Sequence, residues 1–180
     1  MRVITGSARG MKLFTLEGDS VRPTTDKVKE AMFSIIQFEI EGRRVLDLFA
    51  GSGQLGIEAL SRGAKSAHFT DESREAISVI NKNLEKTKLK DYSTVSHTDS
   101  ITFISSTDRT FDLFFLDPPY GKGLALKALP LCAKKASAGA LIVCETSADE
   151  VLPEEIDSLV FSKRYKYGKT ALTVYRKAED

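Results

Sequence analysis

The stretch 45–60, VLDLFAGSGQLGIEAL, decides how the rest of the chain is interpreted. It begins with an apolar run typical of a buried strand, passes through Gly51, Gly53 and Gly56, and continues with apolar residues at helical spacing. The glycines match G-x-G-x-x-G, a loop in which the lack of side chains allows a tight turn and brings the backbone close to a ligand. The stretch therefore predicts a strand, a ligand-binding loop and a helix.

Predicted strands and helices alternate on both sides of this unit, which indicates an α/β fold with a parallel sheet covered on both faces. A short N-terminal β-hairpin and a helix over 22–36 come first. The predicted strands are 44–49, 66–71, about 92–97, 111–117 and 140–146, and the helices between them are 54–62, 73–87, 100–105 and 123–136. Two last strands, about 158–166 and 169–176, meet at YGK and predict an antiparallel hairpin that completes a seven-stranded sheet.

Length and composition fit a single globular domain. The 180 residues, 42% of them hydrophobic, contain no linker or repeat, so we expect an N-terminal hairpin extension over 1–21 and one core over 22–180. No apolar stretch is long enough to cross a bilayer, and residues 1–10 lack the apolar segment of a signal peptide. We expect a cytoplasmic monomer that makes no membrane contact. Two cysteines and two histidines without metal-ligand spacing predict no metal site.

The second informative stretch is FDLFFLDPPYGKG at 111–123. Asp117 follows a buried strand, and Pro118 and Pro119 stiffen the exit loop because their φ angles are fixed. A carboxylate and the Tyr120 ring on such a loop indicate either a simple strand end or a reaction centre. Ligands of open parallel sheets bind beyond the carboxyl ends of the strands, so we expect Asp117 to face the glycine loop.

The glycine loop fits two cofactors. Gly51, Gly53 and Asp71, which lies 20 residues after Gly51, match the dinucleotide pattern. A second carboxylate, Asp47, would stand unfavourably beside a pyrophosphate but could accept a hydrogen bond from an ammonium group. S-adenosylmethionine would use the glycines for its amino-acid part, Asp71 for the ribose and Asp99 for the adenine amine. Asp99 could equally cap the following helix. The pattern favours the methyl donor.

The chemistry of methyl transfer to a nucleobase amine accounts for the DPPY residues. The lone pair of such an amine is delocalised into the ring. The Asp117 carboxylate and the Pro118 carbonyl can each accept one N–H, which directs the lone pair at the methyl group and stabilises the developing positive charge. Pro119 helps to fix the loop, and Tyr120 offers a stacking face to a base that has left its helix.

Basic residues alternate with aromatic ones near the C-terminus. Lys163 and Arg164 belong to a run from Phe161 to Lys177 that contains no acid and three tyrosines. Such a run can bind phosphates and stack bases, or it can be a solvated hairpin. Both interpretations stay open on the sequence.

Taken together, the motifs resemble a known family. RPTTDKVKEAMFSII (22–36), LDLFAGSGQLGIEALSRGA (46–64) and DPPY (117–120) are similar to those of the bacterial small-subunit (16S) ribosomal RNA guanine-N2 methyltransferases, which have the Rossmann-like class I fold. The resemblance implies a flipped guanine as substrate, S-adenosylhomocysteine as product and RNA within the small subunit or its assembly intermediate as partner. By position, it gives roles in cofactor binding to Asp47, Gly51, Gly53, Asp71 and Asp99, and in holding the guanine amine and ring to Asp117, Pro118 and Tyr120, the predicted catalytic residues. Arg22 and Thr24 match the family's loop near the cofactor and the substrate, and we count Thr24 with the cofactor and Arg22 with the substrate. Apart from the resemblance, the place of Pro119 in the exit loop and the basic run around Lys163 and Arg164 make these three residues, together with Tyr120, candidates for substrate binding.

Four other functions compete with this one. A DNA adenine or cytosine methyltransferase would need a target-recognition segment for which 180 residues leave little room. A protein-glutamine methyltransferase resembles this pattern but generally carries Asn at the position of Asp117. A non-catalytic ribosome-assembly factor would not require an intact Asp117 and intact glycines. A dinucleotide oxidoreductase would need a hydride-transfer site that the sequence does not offer.

Overall fold

An eight-stranded sheet forms the centre of the computed structural model, which describes residues 1–18 and 25–179, with only the backbone of Thr25. Its order is β3-β2-β1-β4-β5-β8-β7-β6; β1 to β5 run parallel and the last three strands antiparallel. The strands are β1 Arg44–Asp47, β2 Ser66–Asp71, β3 Ser93–His97, β4 Phe111–Leu116, β5 Ala136–Ser147, β6 Glu155–Ile156, β7 Leu159–Tyr167 and β8 Thr170–Lys177.

Five α-helices within the described residues cover the two faces of the sheet, and a short 3-10 helix, Lys90–Tyr92, precedes β3. One hydrophobic core lies between the sheet and α1, α2 and α3, and a second lies between the sheet and α4 and α5. The bounds are α1 Thr25–Ile35, α2 Gln54–Ser61, α3 Arg74–Lys86, α4 Ser100–Ser106 and α5 Leu124–Lys135. The predicted fold class, a mostly parallel sheet with an antiparallel C-terminal hairpin and helices on both faces, is confirmed.

The sheet departs from the prediction at three places. β6 is a two-residue eighth strand that pairs with the start of β7. β5 begins at residue 136 rather than 140, because the register shift between Phe111 and Leu113 of β4 accommodates extra residues around Gly139. A second register shift, between Phe161 and Lys163, places a bulge in β7.

The N-terminal segment makes a smaller hairpin than expected. Its strands meet at one antiparallel bridge, Arg2 with Lys12, supported by a backbone hydrogen bond from the Leu13 N–H to the Met1 carbonyl. The segment is held on α2 by Glu58, whose buried carboxylate accepts hydrogen bonds from the N–H groups of Ile4 and Thr5. Lys29 of α1 pairs with the same carboxylate at 3.4 Å, so the segment packs on the α1–α3 face. The predicted division at residue 21 lies outside the described residues.

Helix α2 packs unusually close to the sheet because Gly56 has no side chain. A Cβ built at Gly56 would lie 2.3 Å from Cε1 of Phe69, a fully buried ring of β2. No real Cβ occupies such a distance, so an alanine would force the helix away from the strand. The third glycine of the motif therefore serves helix packing.

We expect Gly56→Ala to lower the free energy of unfolding by about 1–3 kcal/mol, because overpacking a tight core shifts rings and backbone. Urea unfolding measures the change. Combining it with Phe69→Leu should cost at least about 0.5 kcal/mol less than the sum of the single changes, since the smaller side chain makes room for the new methyl group. Strict additivity of the two changes would contradict this packing account.

Candidate active site

The glycine loop turns the chain from β1 into α2. Gly51 (φ +56°) and Gly53 (φ +81°) both adopt the left-handed conformation that favours glycine. A Cβ at Gly51 would meet nothing within 4 Å, whereas one at Gly53 would lie 3.2 Å from the Ile80 side chain. Gly51 therefore borders open space, and Gly53 lies on the packed side of the loop.

Two carboxylates hold this loop in place. Asp71, at the end of β2, accepts hydrogen bonds from the N–H groups of Gly51 and Ser73, both at 2.9 Å. Asp47, at the end of β1, accepts one from the Gly56 N–H at 2.9 Å and is only 1% exposed. Burial raises the pKa of Asp47 to about 7; the Gly56 hydrogen bond opposes that rise, and the nearby Asp71 charge adds to it.

A cavity of about 360 Å³ opens beyond the carboxyl ends of the parallel strands. Its volume falls within the range of small-molecule sites. Polar groups line it together with the apolar side chains of Phe49, Leu55 and Leu124. Six residues predicted from the sequence meet there: Gly51, Asp71, Asp99, Asp117, Pro118 and Pro119.

Asp99 caps α4, which is one of the two roles that the sequence left open for it. Its Oδ1 accepts hydrogen bonds from the Thr102 N–H at 2.8 Å and the Thr102 hydroxyl at 3.0 Å, so it caps α4. The same residue lines the cavity. Capping fixes the direction of the carboxylate, and the predicted contact of Asp99 with an adenine stays a prediction.

The DPPY loop continues from β4. Asp117 is half-buried and Pro118 is buried, whereas Pro119 is exposed. The Tyr120 hydroxyl donates to Oε1 of Glu145 at 3.1 Å and lies 3.2 Å from the Thr170 hydroxyl. Burial, together with the charges of Glu145 and Asp117, raises the pKa of Tyr120 to about 12, which keeps the phenol protonated.

The structure places the other predicted site residues away from the cavity lining. Asp47 lies beneath the glycine loop, and Tyr120 reaches toward β5 and β8. Lys163 and Arg164 are exposed on β7. Arg164 donates to the Ala148 carbonyl at 2.6 Å and so supports the segment after β5. The predicted Arg22 and Thr24 lie outside the described residues.

Sequence reasoning missed two groups of residues at this edge of the sheet. Met1, Glu72 and Lys122 line the cavity. Glu72 could have been found, since it directly follows Asp71 at a strand end. Glu145 and Thr170 contact Tyr120, and the only signal for Glu145 was a charge that closes the apolar run ALIVCE.

His68 lies away from the cavity and contacts only residues of the fold. His68 lies against Ser96 and Arg109, and burial followed by the Arg109 charge lowers its pKa to about 4. Within residues 1–18 and 25–179, no group of three or more His, Cys, Asp or Glu side chains is placed to hold a metal ion. In the same residues no helix has the length and apolarity to cross a membrane.

Comparison with known proteins supports the resemblance noted in the sequence. The family described as Conserved hypothetical protein 95 matches residues 1–176. Ribosomal RNA small subunit methyltransferase D of Haemophilus influenzae is 38% identical over 157 residues, covering 84% of this chain and 81% of that protein. The chain belongs to this methyltransferase family. The predicted family resemblance is therefore confirmed.

Two further comparisons extend the family relationship over the whole chain. YlbH of Bacillus subtilis (strain 168) is 40% identical over 183 residues, covering 98% of this chain and 99% of that protein. The solved structure of yhhF from Escherichia coli has a TM-score of 0.89 at 31% identity and covers 100% of this chain and 99% of that one. The whole described architecture is thus the architecture of the family.

The raised pKa of Asp47 predicts how stability depends on pH. The folded protein holds this proton more tightly than the unfolded chain, in which an aspartate titrates near 3.9. The stability that the protonated Asp47 carboxyl group contributes is fully present below about pH 4 and is lost as the pH rises through about 7. Asp47→Asn keeps an acceptor for the Gly56 N–H and cannot ionise. Urea unfolding should show the variant gaining about 2–3 kcal/mol relative to wild type between pH 5 and pH 8; parallel profiles would contradict the assignment.

Proposed function

We propose that the protein transfers a methyl group from S-adenosylmethionine to the exocyclic N2 amine of a guanine in small-subunit ribosomal RNA. One observation carries the proposal: the DPPY loop and the glycine loop line the same cavity. The names of relatives such as ribosomal RNA small subunit methyltransferase D support the substrate class.

The residues of the cavity fit S-adenosylmethionine. Gly51 borders open space, where any side chain would project into the cavity. Asp71 and Asp99 bring carboxylate oxygens to the wall, suited to ribose hydroxyls and to an adenine amine, and Phe49 and Leu124 supply apolar surface. When bound, S-adenosylmethionine supplies a methyl group on a positively charged sulfur. Asp47, beneath the loop, would act by holding Gly56 and the start of α2.

The DPPY loop would prepare the nucleophile. The Asp117 carboxylate and the Pro118 carbonyl would accept the two amine hydrogens, which orients the nitrogen lone pair and stabilises the positive charge that develops on it. The two prolines keep these acceptors in place between β4 and α5.

RNA would reach the site across the exposed end of the sheet. Tyr120 and Pro119 would contact the flipped base, and Lys163 on β7 would meet phosphates. Arg22 and Thr24, which lie outside the described residues, would contribute from the segment that precedes α1 in the sequence. We propose that the protein acts as a cytoplasmic monomer on RNA in the small subunit or its assembly intermediate.

A transfer assay separates this function from its competitors. Purified protein and labelled S-adenosylmethionine are incubated with total RNA, small subunits or duplex DNA from cells that lack the gene, and nucleosides are then analysed. Label in N2-methylguanine from RNA or subunits supports the proposal. Label confined to DNA would indicate the DNA methyltransferase. Binding of S-adenosylhomocysteine without any transfer would indicate the assembly factor.

Asp117→Ala should reduce turnover by about 10²–10³-fold, because the transition state loses a preorganised acceptor. The dissociation constant of S-adenosylhomocysteine, measured by calorimetry, should change by less than about threefold (about 0.7 kcal/mol). Asp117→Asn, which retains one neutral acceptor oxygen, serves as the matched control and should fall between wild type and the alanine variant. Equal loss of cofactor affinity and turnover would overturn the role of Asp117.

Lys163→Ala should weaken RNA binding and lower the slope of log affinity against log salt by about one, as expected for one lost phosphate contact. Lys134→Ala is the control, since Lys134 is also exposed but lies in the last turn of α5 on the other face of the sheet. Filter binding over a salt series measures both variants. An unchanged slope in Lys163→Ala would identify the C-terminal basic run as a solvated surface.

A further inference from the structure

Asn83 is a fully buried amide on the inner face of α3, behind the glycine loop. One turn earlier on the same face, the Ile80 side chain would lie 3.2 Å from a Cβ built at Gly53. A buried amide is costly unless its polar atoms are hydrogen-bonded, because it has given up its contacts with water. The partners of Asn83 therefore identify the parts of the fold that this side chain holds.

The Asn83 amide joins two segments that are distant in the sequence. Its Oδ1 accepts a hydrogen bond from the Phe14 N–H at 2.7 Å, and its Nδ2 donates to the Phe14 carbonyl at 3.0 Å. Nδ2 also donates to the Ser52 carbonyl, again at 3.0 Å. The two carbonyls require N–H donors and the Phe14 N–H requires an acceptor, so the partners fix the orientation of the amide. One side chain thus links the N-terminal segment, residues 1–16, to the glycine loop.

The glycine loop depends on such outside contacts for its shape. Gly51 and Gly53, on either side of Ser52, have left-handed φ angles, and glycine has little conformational preference of its own. Asp71 holds the loop through the Gly51 N–H. The hydrogen bond from Asn83 to the Ser52 carbonyl sets the direction of the next peptide group, which is planar. Since Gly51 and Ser52 both line the cavity, this direction shapes the wall that would meet the cofactor.

The N-terminal segment controls whether the Asn83 amide can keep its orientation. The Phe14 ring is half-exposed, so it is the Phe14 backbone that holds the amide. If the segment moved away, Oδ1 and one hydrogen of Nδ2 would lose their partners in a buried place, which is unfavourable. The amide would turn toward other partners, and the Ser52 carbonyl would lose its donor. Met1 and Leu16, at the two ends of the segment, line the cavity as well.

We infer that Asn83 is a positioning residue of the cofactor site, through which the docked N-terminal segment stabilises the glycine-loop conformation that binds S-adenosylmethionine. The inference rests on the cofactor part of the proposed function and adds to it a residue that acts from behind the loop. Coupling between two sites is reciprocal in free energy, so a bound cofactor should in turn stabilise the docked segment.

Amide hydrogen exchange of the wild-type protein measures this coupling. Saturating S-adenosylhomocysteine should slow exchange by at least about fivefold at Val3, Gly10 and Phe14, whose N–H groups are hydrogen-bonded in the docked segment. Exchange rates that are the same with and without S-adenosylhomocysteine would overturn the inference.

Asn83→Asp tests the side chain itself. The variant keeps an oxygen for the Phe14 N–H and nearly the same volume, but it cannot donate to both carbonyls. It should weaken S-adenosylhomocysteine binding, measured by calorimetry, by at least about tenfold (about 1.4 kcal/mol) and abolish the slowing of exchange. Both measurements are made below the onset of thermal unfolding of the variant. Slowing that persists in the variant would show that Met1 and Leu16 carry the coupling, and would overturn the role of Asn83.

A matched pair of variants at Phe14 tests the contribution of the segment while Asn83 stays intact. Phe14→Pro removes the N–H that holds Oδ1, whereas Phe14→Ala removes the half-exposed ring and keeps both backbone groups. We expect Phe14→Pro to weaken S-adenosylhomocysteine binding by at least about fivefold (about 1 kcal/mol) and Phe14→Ala to leave it within about twofold of wild type. Equal affinities of the two variants would contradict the inference, even if Asn83→Asp does not fold.

The outcomes separate this inference from the proposed function, because none of these measurements requires RNA. If wild type binds S-adenosylhomocysteine but its exchange rates do not respond, the role of Asn83 is wrong and the proposed methyl transfer is unaffected. If wild type does not bind S-adenosylhomocysteine at all, the proposed function itself is wrong.

Discussion

The site depends on the buried hydrogen bond between the Asp47 carboxylate and the Gly56 N–H. This bond joins the end of β1 to the first turn of α2 and so fixes the glycine loop between them. A carboxyl group can accept it in either protonation state, which suits a residue whose pKa is about 7. Asp71 then holds the outer side of the same loop through Gly51. Asp47 and Asp71 together hold both ends of the glycine loop, which forms part of the cavity wall.

The N-terminal segment is part of this construction rather than an appendage. Asn83 of α3 is fully buried and bonds both the backbone of Phe14 and the Ser52 carbonyl in the glycine loop. Met1 reaches the cavity. Glu58 joins the segment to α2 and α1, and breaking a buried pair such as Glu58 with Lys29 leaves an uncompensated charge. We therefore expect changes in the first residues of the chain to affect the glycine loop.

Local patterns allowed most of the fold to be predicted. Apolar periodicity and glycines located the five α-helices and the strands of the described sheet except β6, which is only two residues long. The carboxyl-edge rule brought Asp71, Asp99 and Asp117 to one cavity from residue order alone. The direction of a side chain was harder to predict than its place along the chain. The sequence predicts that Asp47 faces a ligand. In the structure its carboxylate lies beneath the glycine loop and accepts a hydrogen bond from the Gly56 N–H of α2.

Features that depend on pairing between strands distant in the sequence could not be predicted from local patterns. The contact of Tyr120 with Thr170 exists because β8 lies antiparallel beside β5, an order that no local pattern predicts. The bulge in β7 likewise depends on how many residues oppose each other across the hairpin.

That bulge has a consequence for the protein in solution. Beyond the two residues paired with β6, the outer edge of β7 is irregular and carries the cations Lys163, Arg164 and Lys166. An edge that is both bent and positively charged is a poor template for a strand from another copy, since pairing would bring like charges together. The positive charge on β7 thus disfavours edge-to-edge pairing of this strand with a strand of another copy.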